Sequence, residues 1–265
     1  MMQQAIDFKD ESDVLHALVR DLEDADFERT TQFKQWTVND VLVHLHFWNK
    51  AADQSLNDPD GFAGLFAELG QSLATGTLRG FENAKITARG RKLVDEWSAL
   101  YTDMGERWKD LDPKHRVKWA GPEMSVRSSA TARQMETWSH GQEVFDLFGQ
   151  TRVEHDRIKN IVVLGVNTYA WSFKVRGMQA PDPMPFVKLT APSGAEWTFG
   201  EDGSSSGSIT GSAVGFCQIV TQTRNTADTD IVTDGEGAEL WMKHAQCFAG
   251  PPETPPAPGS RGIAG

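Results

Sequence analysis

Between residues 12 and about 177, apolar positions recur at helical spacing, interrupted by turn signals, and almost nothing in this stretch alternates as a strand does. The pattern predicts a helix bundle. Its first helix covers residues 12–26, its second runs from Thr37 to about residue 56, its third spans 84–110, and its fourth runs over 131–147, ahead of Gly149. A shorter helix is expected over 62–73 and a further one over 154–175, stopping at Gly177. Thr37 followed three residues on by Asp40 reads as a capping box for the second helix. Gly141, inside the fourth, lowers helix propensity unless a neighbouring helix packs close there.

The pattern changes at QAPDPMP (179–185), a connector that no helix can cross, so a helical domain over 1–178 is expected to precede a small domain over 186–250. FVKLT (186–190) and EWTF (196–199) alternate with period two around Pro-Ser-Gly and predict a hairpin, with a further strand at 208–210 and helices over 212–223 and 235–248. The last residues, 251–265, are rich in Pro and Gly and read as a flexible tail. The fold class is therefore α+β: a four-helix bundle followed by a small α+β domain.

A chain of 265 residues can bury a core without covalent staples, and its two cysteines, Cys217 and Cys247, show no paired spacing. Buried thiols in a reducing, cytoplasmic setting are expected. The N-terminus lacks a basic segment followed by an apolar run, and no stretch approaches the roughly 20 apolar residues that span a bilayer, so no membrane partner is expected. A net charge of −11 opposes attraction to phosphate backbones, which argues against nucleic acid.

The candidate chemistry lies on two of the expected helices. In RQMETWSHGQEVFDLFG (133–149), Glu136 and His140 stand four residues apart and project from one helical face, which Val144 and Leu147 continue inward. A buried Glu and His are costly without a partner, and a cation satisfies both; a plain Glu–His hydrogen bond or an exposed pair are the alternatives that spacing alone leaves open. In QWTVNDVLVHLHFWNKA (35–51), Val38, Val41, Leu42, Leu45 and Trp48 form the apolar stripe, with His44 and His46 flanking it on opposite sides. Periodicity does not choose between these two histidines. His16, His115, His155 and His244 stand in no ligand-like spacing.

The W-T-V-x-D-V-L-x-H-L segment at 36–45, about 90 residues before R-x-x-E-x-x-x-H-G, resembles the DinB-like superfamily, specifically the mycothiol-dependent maleylpyruvate isomerase type and, within it, a branch of metal-binding proteins. That resemblance implies a four-helix bundle binding zinc through one His on its second helix and a Glu and a His on its fourth. Carried over, the ligands are His44, Glu136 and His140, and His46 is a neighbour. GSAVGFCQIV (211–220) and ELWMKHAQCFAGPP (239–252) resemble the sterol-carrier-like C-terminal domain attached to such bundles. The family further implies a low-molecular-weight thiol cofactor, a small acidic substrate, and an arginine from the C-terminal domain. Arg224 is the nearest match and Arg176 a second one, although an arginine at a helix C-terminus also serves the helix dipole. Trp48, Trp138 and Trp171 are candidates for a pocket mouth or for the core.

Two imidazoles and a carboxylate suit zinc, or another divalent cation, and leave coordination positions for water or substrate. Three functions follow: a thiol-dependent transferase or isomerase, a hydrolase or lyase using metal-bound water with Glu143 or Asp146 as base, and a non-catalytic module in which the metal is structural. A fourth protein ligand such as His46 would favour the last. A homodimer is compatible with the bundle surface and required by nothing in the sequence.

Overall fold

The computed structural model describes residues 1–74, 76–119 and 121–263. The chain divides into two compact units, Met1–Leu147 and Phe148–Gly265.

The first unit contains α1 (Gln3–Val19), α2 (Val38–Asn57), α3 (Pro59–Leu73), α4 (Leu78–Lys85), α5 (Gly90–Trp108), the strands β1 (Arg116–Trp119) and β2 (Gly121–Ser125), and α6 (Val126–Leu147). α1 and α2 each pack against both α5 and α6, which makes the four long helices a bundle. Its centre is aromatic and aliphatic: Trp97 and Trp108 of α5, Trp138 of α6, Phe8 of α1 and Leu42 of α2 are at most 1% exposed. Full burial of a side chain such as Phe or Leu stabilises the fold by roughly 1.5–3 kcal/mol.

Several boundaries differ from expectation, each for a local reason. α1 starts at Gln3, not residue 12, because Ala5, Phe8, Ser12, Leu15 and Val19 form one buried stripe, with the Ser12 hydroxyl returned to the Phe8 carbonyl. Interspersed acidic residues disguise that stripe in the sequence. It stops at Val19, and Asp24–Glu28 forms a 3-10 turn in which Glu23 and Asp26 cap one another. α2 begins as expected, with reciprocal Thr37 and Asp40 bonds forming the capping box. The single helix expected over 84–110 is two. α4 ends at Lys85, the chain extends, and Gly90 opens α5 with φ +57°, a left-handed conformation that favours glycine, while its N–H donates to Asn39 Oδ1. The antiparallel β1–β2 hairpin was not foreseen, since Val117 is a short strand's lone buried apolar residue. α6 starts ahead of residue 131, helped by the Ser125 hydroxyl accepting from the Ser128 N–H.

The second unit contains α7 (Lys159–Asn167), α8 (Tyr169–Lys174), β3 (Phe186–Thr190), β4 (Glu196–Phe199), β5 (Ser208–Ser212), α9 (Ala213–Val220), β6 (Val232–Asp234) and α10 (Glu236–His244). The expected hairpin is β3–β4, with Val187 opposite Phe199 and Leu189 opposite Trp197. β5 joins β3 in parallel and β6 closes the order β4-β3-β5-β6. The helix expected over 154–175 breaks at Thr168, whose hydroxyl bonds back to the Leu164 and Gly165 carbonyls. α7 packs on α9 and α8 on α10, so residues 148–178 belong with the sheet and not with the bundle. The division therefore falls after α6, whereas the Pro-rich connector lies inside the second unit.

Of the expected tail, residues 253–259 are held by hydrogen bonds, and residues 264 and 265 lie outside the described residues. The Glu253 carbonyl accepts from Gln222 and Arg176, the Glu253 N–H donates to Gln246 Oε1, Asn225 Nδ2 donates to the Pro256 carbonyl at 2.8 Å, and the Gly259 N–H donates to Asp228. Cys217 and Cys247 are both buried thiols. Among the described residues, no helix is long and apolar enough to cross a membrane.

Candidate metal centre

Packing of α2 against α6 brings His44 over the face that carries Glu136 and His140. Nε2 of His44 and Nε2 of His140 each lie 3.3 Å from Glu136 Oε2. One donor atom from each of the three residues lies within 4.8 Å of the others, and no other group of His, Cys, Asp and Glu gathers this way among the described residues. Two donors sharing a tetrahedral ion at roughly 2.0–2.1 Å stand about 3.3 Å apart, so the residues fit a small divalent cation.

A residue that the sequence did not single out sets the geometry. Glu82 of α4 is 0% exposed, and its Oε1 lies 2.9 Å from His44 Nδ1 and accepts the Trp48 indole N–H at 2.7 Å. With Nδ1–H committed to Glu82, His44 turns Nε2 toward Glu136, as a histidine ligand backed by a carboxylate does. Nothing in the local sequence FENAK marks Glu82, because the helix it occupies is short and its burial comes from packing on α2 and α3. His46, two residues from His44, is also buried, but it stands outside the cluster and its Nδ1 has no hydrogen-bond partner among the described residues. Burial, with Lys50 nearby, holds His46 down at about 4.

Charge in the cluster is divided unevenly. Burial works against a proton on His44, yet the Glu82 carboxylate and the bonds to Glu136 push it up to about 9. Burial alone would raise Glu136, but its bonds to His140 and His44 hold it well below the usual carboxylate range. Burial lowers His140. Nε2 of His44, which faces Glu136, is the atom a cation would take.

Aromatic rings wall the cluster. Trp36 stacks on His140, centroids 5.5 Å apart and planes 8° apart, and Phe33 meets the same imidazole edge-on at 5.1 Å. The loop that delivers Trp36 holds two side-chain-bearing residues in the left-handed region, Lys34 at φ 49° and Gln35 at φ 56°. That conformation costs roughly 1–2 kcal/mol per residue, and bonds of the Trp36 backbone to Thr31 and Phe33 hold it in place. On the other side Trp48 lies 6.3 Å from His44.

The remaining candidates are placed elsewhere. Trp138 is a core residue at 0% exposure, and Trp171, in the second unit, donates to the Phe248 carbonyl. Arg224 also belongs to the second unit, where it is 7% exposed and Nη1 donates to the Thr223 carbonyl. Arg176 is committed to Ser172, Gln246 and Glu253. Glu143 and Asp146 are each 2% exposed, and Asp146 accepts from Gln142.

Residues 8–145, which contain the whole cluster, match the family model of the mycothiol maleylpyruvate isomerase N-terminal domain. The chain belongs to this family. Two relatives, uncharacterized proteins from two strains of Mycobacterium tuberculosis, are 34% identical over 250 residues, covering 93% of this chain and 95% of each relative. Among solved structures, the crystal structure of the mycothiol-dependent maleylpyruvate isomerase is similar with a TM-score of 0.56 at 14% identity, covering 88% of this chain and 93% of that one. A mutant of the same enzyme gives 0.54 at 13% identity. At that identity the likeness is one of fold, and the fold is the family's helical domain with an α+β domain after it.

Proposed function

We propose that this protein is a metal-dependent enzyme in which His44, Glu136 and His140 hold one divalent cation, zinc by its donor set, and a low-molecular-weight thiol adds to a small acidic electrophile in a transfer or isomerisation reaction. The observation that carries this reading is the convergence of the three donors with His44 fixed by Glu82. His46 stands outside the group, and three protein ligands leave a coordination position open, the arrangement of catalytic and not structural zinc. The thiol is supported by the family, that of the mycothiol maleylpyruvate isomerase N-terminal domain, and by the fold shared with the mycothiol-dependent maleylpyruvate isomerase.

A bound cation supplies a Lewis acid that lowers the pKa of a coordinated thiol or water. The chain's own residues do the rest. Glu82 keeps His44 in one tautomer and orientation, and Phe33 and Trp36 cover the imidazoles and limit water. Arg224 enters on the family resemblance, as a guanidinium suited to a substrate carboxylate. A reducing cytoplasm fits both the thiol cofactor and the two buried cysteines.

The test is metal analysis of zinc-loaded protein followed by calorimetric titration with mycothiol, glutathione and cysteine, with and without zinc. About one equivalent of zinc and zinc-dependent binding of one thiol is expected. Absence of zinc removes the reading, and zinc without thiol binding turns it toward water activation.

A further inference from the structure

Arg133 lies one turn before Glu136 on α6, on the face that carries Glu136 and His140. It is 3% exposed, and among the described residues its Nε and Nη1 are buried without a hydrogen-bond partner. Its contacts are of a weaker kind: the guanidinium carbon lies 5.2 Å from the centroid of the Trp119 ring, and Glu136 attracts it electrostatically. A guanidinium stays charged even when buried, and leaving its donors unanswered is costly, a cost that a cation–π contact offsets only in part. If the role of this position were to fill space, an aliphatic side chain would do so without that cost.

The surroundings indicate what completes it. Trp119 lies 5.6 Å from Trp48, whose indole bonds to Glu82, and stacks on Phe62 with planes 13° apart, so one side of the guanidinium is a slab of flat rings joined to the metal cluster. With a divalent cation on the three ligands and both imidazoles neutral, the carboxylates of Glu82 and Glu136 offset the ion. Arg133 is then the charge left without a counterpart. That count rests on the function proposed above.

We propose that Arg133 is an anion-binding residue of this site and takes a carboxylate of the small acidic ligand. The Trp119 ring that lies against the guanidinium stands at the end of β1, where the hairpin register is irregular.

The experiment is calorimetric titration of the full chain with fumarate and with fumaramide, its neutral counterpart, with zinc bound and after removal of zinc by a chelator. Arg133→Met and Arg133→Lys are titrated alongside. Wild-type protein is expected to bind fumarate at least about tenfold more tightly than fumaramide; Arg133→Met loses about tenfold or more of the fumarate affinity and Arg133→Lys recovers part of it. Arg133→Met is also expected to melt no lower than wild type, since it removes two buried donors that no acceptor answers. The wild-type comparison of the two ligands stands whether or not a variant folds. Equal fumarate affinity in wild type and Arg133→Met, no discrimination against fumaramide, or no fumarate binding by wild type each overturns the proposal. Zinc bound with Arg133-independent fumarate binding sinks this inference and spares the metal reading. Arg133-dependent binding in a protein that takes no zinc does the reverse.

Discussion

In the second unit Gln246 is 1% exposed, donates to the Pro251 carbonyl and accepts from the Glu253 N–H, while its own N–H donates to the Ser172 hydroxyl. Gln222 likewise donates to the Ala245 and Glu253 carbonyls. In the first unit His44, Glu82, Glu136 and His140 face one another, and among the described residues Glu82 Oε2 and Arg133 Nε and Nη1 are buried with no hydrogen-bond partner. Groups answered by the chain's own backbone hold a shape. Groups that the chain leaves to each other are, in the function proposed above, the ones that take an ion and a ligand from outside.

The contrast breaks most directly at the ligands. His44→Ala and His140→Ala are expected to drop bound zinc from about one equivalent to less than about a tenth, whereas His46→Ala keeps it. Equal zinc in the three variants, read by elemental analysis, would end the assignment. Next in size, Gln246→Ala should cost about 2–3 kcal/mol in denaturant unfolding, because it strips partners from buried backbone groups, with zinc content unchanged. If zinc fell with stability, the two roles would not be separable. Glu82→Gln sharpens the comparison from the other side: metal affinity is expected to fall roughly 10–100-fold in a competition titration, with global stability little changed.

The smallest effect is a local control at the cap of α2. Burial alone would raise the Asp40 carboxyl, but the Thr37 N–H, then Asn83, the Thr37 hydroxyl and Arg79, bring it below its ordinary 3.8. A depressed carboxyl contributes stability that is complete above the unfolded value and is lost as the pH falls through the lower folded one. Asp40→Asn should therefore cost about 1 kcal/mol near neutrality, and the gap to wild type should close in acid. A gap that stayed constant across an acid titration of stability would show that the charge is irrelevant to the cap.

How much of this was legible depended on how far along the chain each cause lies. The α2 cap, its apolar stripe and the Glu136–His140 pair are relations within a few residues, and the sequence displays them. The choice of His44 over His46 is not local: it turns on Glu82, 38 positions away, on a helix whose burial comes from its neighbours. The break before α5 is hard to see in the sequence because Ile86-Thr87-Ala88-Arg89 contains no Pro, Gly, Asn or Asp, leaving Gly90 as the one turn signal there. The C-terminal segment misled for a different reason. Proline lacks a donor but keeps its carbonyl, so a Pro-rich strand suits a surface of donating side chains, and Gln246 and Asn225 take the Pro251 and Pro256 carbonyls.

The two left-handed residues ahead of Trp36 bear on any attempt to make this protein more heat-resistant. Gln35→Gly or Lys34→Gly removes a steric penalty at once, so a screen scored on melting temperature alone would collect substitutions there. Each would also give the loop new conformations and release the ring now lying on His140. Thermostable clones from such a screen should be sorted by whether residues 34 and 35 are intact before any is taken forward for activity.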